Sequence, residues 1–197
     1  MIKGKSLAPD AFRAASLIPK LEKAGYQVTE RNALPDGPRT WTFDASTEPN
    51  GARNEAANVE VNQKVKQTIS DALVTGQPKH PFLFVIGGEC NMSGLASKRI
   101  GLMYVDGDAD LTKPGEPGSS GNLASMTFTH LAMASGASES MQPFPRPDGS
   151  GVVDPSNVVI FGLNADLQGN TRSRMGYLMD EGYRVFTSAA VAKDSEL

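Results

Sequence analysis

Two apolar runs that lead straight into polar clusters constrain this chain more than any other feature. Phe82 to Ile86 (FLFVI) opens into Gly87-Gly88-Glu89-Cys90, and Ile100 to Val105 (IGLMYV) opens into Asp106-Gly107-Asp108-Ala109-Asp110. Nearly continuous apolar runs of this length, bounded by glycine or charge, fit strands buried on both faces of a parallel sheet. Each run then releases its polar residues at a carboxyl edge, which is where open α/β sheets bind ligands. The two clusters are therefore expected to converge from neighbouring strands. Val158 to Leu163 (VVIFGL) is a third run of the same kind, and the three are expected side by side in the centre of one sheet.

The rest of the chain supplies helices and connections for such a sheet. From Ser6 to Gly25, apolar residues recur at helical spacing, and Pro19 predicts a kink or two short helices. Tyr26 to Thr29 is a short strand candidate. Prolines, glycines and polar residues crowd Ala33 to Asn54, which marks a long surface loop with Trp41 and Phe43 as its anchors to the core. Asn58 to Thr75 is a helix with Val61, Val65, Ile69, Ala72 and Leu73 on one face, stopped by Gly76 and Pro78. It is expected to cover one face of the sheet. Met126 to Ser135 is a further helix carrying His130, and a lone histidine there is expected to be structural, as is His80 before a proline. Gly136 to Pro155 is a second loop, Arg172 to Glu181 a helix, and Tyr183 to Phe186 a fourth strand. Alternation of strand and helix at these lengths predicts a layered α/β fold over residues 1–197, with no internal repeat and no linker.

Composition excludes several classes of function. With 19 basic against 22 acidic residues and a net charge of -3, the chain lacks the basic footprint of a nucleic-acid binder. A single cysteine cannot form an internal disulfide, and no charged start followed by a long apolar segment is present. Neither secretion nor a membrane span is indicated, and a cytoplasmic location is the default expectation.

The chemistry is concentrated after the second run. Asp106, Asp108 and Asp110 repel one another at alternate positions, so close packing of the three calls for a cation. Oxygen donors suit magnesium, calcium or manganese, and a thiolate from Cys90 would shift the preference toward softer first-row ions. The plain alternative for the aspartates is a solvated acidic loop, and for Cys90 a small buried core residue.

GGECN, VDGDAD and SSGNLAS occur in that order, and the series resembles the GGDH, DAHxD and SGNxHG motifs of the arginase/agmatinase (ureohydrolase) superfamily. The resemblance extends from about Lys5 to Val191, with GLNADLQ similar to the family's GLRxxD segment. It implies a three-layer α/β/α sandwich with a mostly parallel sheet. It also implies hydrolysis of guanidino or amidino carbon–nitrogen bonds at a manganese site of one or two ions. Carried over residue by residue, it assigns Cys90, Asp106, Asp108 and Asp110 to metal, Asp110 also to catalysis, and Ser120 and Asn122 to the substrate's polar end.

The departures from the family pattern matter as much as the matches. Cys90 and Asp108 stand where the family has histidines, and Ala124 replaces the histidine of SGNxHG. The later SFDxD segment, which gives the family two further metal-bridging aspartates, is not found, and the first strand is missing as well. The fold is thus expected to be incomplete at both ends, and unpaired edges favour association of copies. Two readings follow: a ureohydrolase-like hydrolase, weakened or inactive in this chain, or a non-catalytic arginase-fold binding or regulatory protein. Asp108-Ala109-Asp110-Leu111-Thr112 also matches the D-x-D-x-T of haloacid-dehalogenase-type phosphatases, a lesser alternative that requires Asp108 at a strand end.

Overall fold

A computed structural model of the chain describes residues 7–36, 46–75, 83–87, 101–131 and 153–194. Trp41, Phe43, His80 and Cys90, with most of the loop expected before Pro155, lie outside them. At the centre is a parallel sheet of β1 (Leu102–Val105), β2 (Val158–Leu163) and β3 (Arg184–Thr187), in that spatial order. Leu102 pairs with Val158 and Val105 with Phe161, while Val159 pairs with Arg184 and Phe161 with Phe186. The second and third apolar runs are therefore adjacent parallel strands, as their sequences predict. The first is not a member of this sheet. Residues 83–87 carry no strand pairing, Phe84 and Val85 are exposed, and Leu83 alone packs against the core. A continuous apolar run specifies burial on two sides only where neighbours cover both, and here Leu83 and Ile86 are only half-buried.

Pleating divides the sheet cleanly. Leu102, Tyr104, Val158, Ile160 and Val185 join a core with Ile69, Phe128, Leu131, Leu178 and Tyr183. Phe128 is its hub, with ring centroids 4.8 Å from Tyr104 and 5.7 Å from Tyr183, both edge-to-face. Burial of each such side chain contributes about 1.5–3 kcal/mol. Met103, Val105 and Phe186 point the other way and are exposed.

The helices refine the expectations from sequence. The N-terminal segment is two short helices, α1 (Ala8–Ala14) and α2 (Leu17–Lys23). The break falls at Ser16, whose φ is 57°, and Pro19 sits in the first turn of α2, where a missing N–H costs nothing. Neither helix has a buried residue, and Tyr26, in the expected strand, is exposed without pairing. Helix α3 runs Glu55–Thr75. Of the expected stripe Ile69 is buried and Val65 packs against the core, while Leu73 is exposed; the other buried positions are Glu55, Asn58 and Asn62, so polar residues occupy the inward face of its first half. A 3₁₀ turn, Leu123–Met126, leads into α4 (Thr127–Leu131), buried throughout. Helix α5 (Arg172–Asp180) packs beside β3, and α6 (Ser188–Asp194) lies beside β2 and β3. No helix of the described residues is long and apolar enough to cross a membrane.

Candidate functional site

Strand β1 ends at Val105, so Asp106 is the first residue past the carboxyl edge and Asp108 the third. The D-x-D-x-T reading, which needs Asp108 at the strand end, does not fit this placement. Beyond the strand the loop stays tied to β2: Asp106 N donates to Phe161 O at 3.2 Å, and Asn164 N donates to Gly107 O at 2.9 Å. These bonds join the acidic loop to residues 164–170, the connection between β2 and α5.

The three aspartates form a ladder of turns. Asp106 Oδ1 accepts from Asp108 N at 2.9 Å, and Asp108 Oδ1 accepts from Asp110 N at 3.1 Å. Asp110 is buried at a left-handed φ of 47°, a conformation that costs most residues about 1–2 kcal/mol and that aspartate tolerates comparatively well. Its Oδ2 accepts a short hydrogen bond from the Tyr104 hydroxyl. Its carbonyl accepts from Phe128 N at 3.1 Å and Thr129 N at 3.4 Å, which docks the start of α4 onto the loop.

The residue that binds this loop hardest was not singled out from sequence. Asn170, only 4% exposed, accepts from Ala109 N at 2.8 Å and donates to Gly107 O at 2.8 Å and Asn164 O at 2.7 Å. Next to it, a Cβ on Gly169 would lie 2.6 Å from Asp108 Oδ2, so a side chain there would have to displace that carboxylate. Arg174 extends the bracket by donating to Gly169 O at 2.7 Å and pairing with Glu116. The available signal was an asparagine next to glycine just before a threonine-capped helix, a turn pattern that predicts local structure and not a contact 61 residues away.

Ser120 and Asn122 lie on a different connection. Arg53 Nε donates to Ser120 O at 2.8 Å, Arg53 N donates to Gly121 O at 2.7 Å, and Arg53 forms an isolated parallel bridge with Asn122. Gly121 has a φ of 74°, and a Cβ there would meet Gly51 O at 2.7 Å, which explains the glycine between the two polar residues. This loop meets the acidic one through Thr112 N, which donates to Ser125 O at 3.1 Å, and Thr129 Oγ1, which donates to Thr112 O at 2.8 Å. The two loops are thus hydrogen-bonded to one another, while Ser120 bonds to Arg53 and to Asn122 in its own turn.

The donor set was tested against a metal ion. Among the described residues no three His, Cys, Asp or Glu side chains form a group that could hold one. Asp106 and Asp108 turn oxygens onto successive amides along the loop, and Asp110 turns one onto Tyr104. A manganese ion needs several oxygens directed at one point, so the aspartates as arranged do not fit it. Cys90 lies outside the described residues. His130 is buried on α4, and burial holds its imidazole below the ordinary value, with a backbone bond to Met126 and the charge of Glu55 acting in the opposite sense.

A parallel α/β sheet with an acidic loop at its carboxyl edge, an SGN loop beside it and a helical core beneath defines an arginase-like architecture. Comparison with known proteins agrees. No protein-family model matches the chain. The arginase of Staphylococcus aureus (strain MRSA252) is 26% identical over 200 residues, covering 96% of this chain and 60% of that protein. The arginase of Bacillus caldovelox is 23% identical over 198 residues, 94% of this chain and 59% of its own length. Among solved structures, Entamoeba histolytica arginase in complex with L-ornithine superposes with a TM-score of 0.69 at 18% identity, covering 98% of this chain and 62% of that one. Bacillus cereus arginase gives 0.68 at 20% identity, covering 96% and 60%. The chain has an arginase-like fold, and it spans about 60% of the length of the relatives it matches.

Proposed function

We propose that this chain, as a single domain, is a ureohydrolase-like protein whose acidic carboxyl edge receives the cationic guanidino or amidino group of a small molecule. Hydrolysis of that group's carbon–nitrogen bond is the chemistry of the class, weak at most in this chain. The observation that supports the reading is the position of Asp106 and Asp108, half-buried just past β1. A carboxylate can accept several hydrogen bonds, Asp106 and Asp108 each give one oxygen to an amide of the turn, and a planar cation pairs with carboxylates through charge-assisted bonds. L-ornithine bound to the Entamoeba histolytica arginase is a small molecule with an amine at the end of its chain, the same charge class. Asp110, the deepest of the three, is the carboxylate we assign to catalysis, with Ser120 and Asn122 at the ligand's polar end.

Manganese is the cofactor that this chemistry implies, with Cys90, Asp106, Asp108 and Asp110 as its proposed donors. The three aspartates do not fit the ion as they stand. A second reading, a non-catalytic arginase-fold binding protein, is favoured by two observations. Asp110 is engaged by Tyr104, and Ala124, which occupies the histidine position of the SGN motif, cannot transfer a proton. Groups that do so typically contribute about 10²–10⁴-fold.

Titration calorimetry with arginine, agmatine and guanidinium, combined with a urea assay with and without manganese, tests both readings. Binding that Asp106→Asn and Asp108→Asn each weaken is expected, with little urea. Absence of binding by every guanidino and amidino compound tried overturns the proposal, and urea release at rates normal for an enzyme overturns the non-catalytic reading.

A further inference from the structure

We infer that Asn170 and Tyr104 are positioning residues that hold the acidic loop in shape by hydrogen bonds, so that the loop keeps its form without a cation. Carboxylates packed at alternate positions after a strand need compensating positive charge or donors. Here the protein supplies donors. Three groups donate to these carboxylates, Asp108 N and Asp110 N to the preceding aspartates and the Tyr104 hydroxyl to Asp110, while Asn170 ties down the backbone between them, accepting from Ala109 N and donating to Gly107 O.

Asn170 satisfies its carboxamide with three bonds of 2.7–2.8 Å while 4% exposed. A side chain that received one N–H and donated to two carbonyls could not be replaced by aspartate, which has the same shape and no donor at neutral pH. Tyr104 is anchored independently, its ring edge-to-face on Phe128 at 4.8 Å. The hydroxyl is therefore delivered to Asp110 by the core of the fold, and Phe128 in turn donates its N–H to Asp110 O. Gly169, against Asp108, closes the loop from the other side.

This inference deepens the proposed site and depends on that reading only for which ligand the loop meets. The loop's order is a separate observable. Backbone amide exchange of the full chain, followed by NMR in EDTA and in manganese chloride, tests it. EDTA is expected to leave exchange at Ala109 and Asp110 within about twofold of the untreated protein. Asn170→Ala and Asn170→Asp are each expected to speed Ala109 exchange by about tenfold or more, with amides of β2 unchanged. Tyr104→Phe should do the same at Asp110 while leaving the ring contact intact. A role confined to filling space would leave the isosteric Asn170→Asp silent. That silence, or a tenfold acceleration at Ala109 when EDTA is added to the unmodified chain, overturns the inference. If a variant fails to fold, the EDTA and manganese comparison on the parent still decides. Failure to bind guanidino compounds with an unchanged loop would count against the proposed ligand alone.

Discussion

The two faces of one three-stranded sheet differ more than any two separate elements of this molecule. On one, Tyr104, Ile160 and Val185 interleave with Phe128, Leu178 and Tyr183. On the other, Met103 is 65% exposed and Val105 68%, and the Phe161 and Phe186 rings lean together at 6.1 Å. Both faces carry large apolar side chains. The difference therefore lies in what covers each face, because hydrophobic stabilisation follows area removed from water and not apolar character itself.

The largest expected effect of that difference is at the hub of the covered face. Phe128→Ala should destabilise by about 3–5 kcal/mol, since it removes two edge-to-face partners and leaves a void that the neighbours only partly fill. Denaturant unfolding measures it. A loss below about 1 kcal/mol would mean that the site collapses freely and that the covered face is no better packed than the open one.

The covered side also contains a defect. Asn62 is fully buried on α3, and among the described residues both polar atoms of its carboxamide lack a hydrogen-bond partner. An unsatisfied buried amide costs about 1–3 kcal/mol, so Asn62→Leu is expected to raise stability by an amount in that range. A loss of stability instead would show that the amide is satisfied in solution, by water or by an unassigned ligand. It would also identify the first half of α3 as a polar site rather than a flaw in packing.

How much of this was legible beforehand follows from the same contrast. The runs over Ile100–Val105 and Val158–Leu163 specify strands because they are short, nearly continuous in apolar residues and bounded by polar ones. The bound Asp106-Gly107-Asp108 cluster followed directly, since a strand's end fixes where its next polar residues emerge. What periodicity does not encode is whether a second layer exists, and the open face of β1 and the unpaired segment at 83–87 are the consequences. The α3 stripe holds only in part for a related reason, with Ile69 buried and Val65 against the core but Leu73 exposed. Glu55, Asn58 and Asn62 lie seven or fewer residues apart on one side of the helix, yet polar residues are normally assigned to solvent. Asn170 was invisible because its partners, Gly107 and Ala109, are backbone groups with no signature in sequence.

A smaller effect on the covered side depends on pH. Burial depresses the His130 pKa below its ordinary value, while the bond to Met126 and the charge of Glu55 restore part of the loss. The folded chain therefore binds the proton less readily than the unfolded chain, whose histidine titrates near ~6.5. Its share of stability is complete above that value and is lost as pH falls through the lower folded value. The denaturation midpoint should drop from pH 7.5 to pH 5, and His130→Gln should flatten that part of the dependence. An unaltered slope in the variant would assign the acid sensitivity to other groups.

The smallest effect is expected on the open face, and it tests the comparison most directly. Val105 pairs with Phe161 in the ladder, but its side chain is mostly in water. Threonine is also β-branched and suits a strand equally well, so Val105→Thr changes little except the polarity of one exposed methyl group. Stability should shift by no more than about 0.5 kcal/mol, as for substitutions away from buried features. Measurement at two protein concentrations separates the outcomes. A shift within that bound at both concentrations means that this face is open in solution. A loss above about 2 kcal/mol that grows with concentration would mean that something covers Val105, because association stabilises the folded state by mass action. The contrast between the two faces would then belong to the isolated chain and not to the assembled protein.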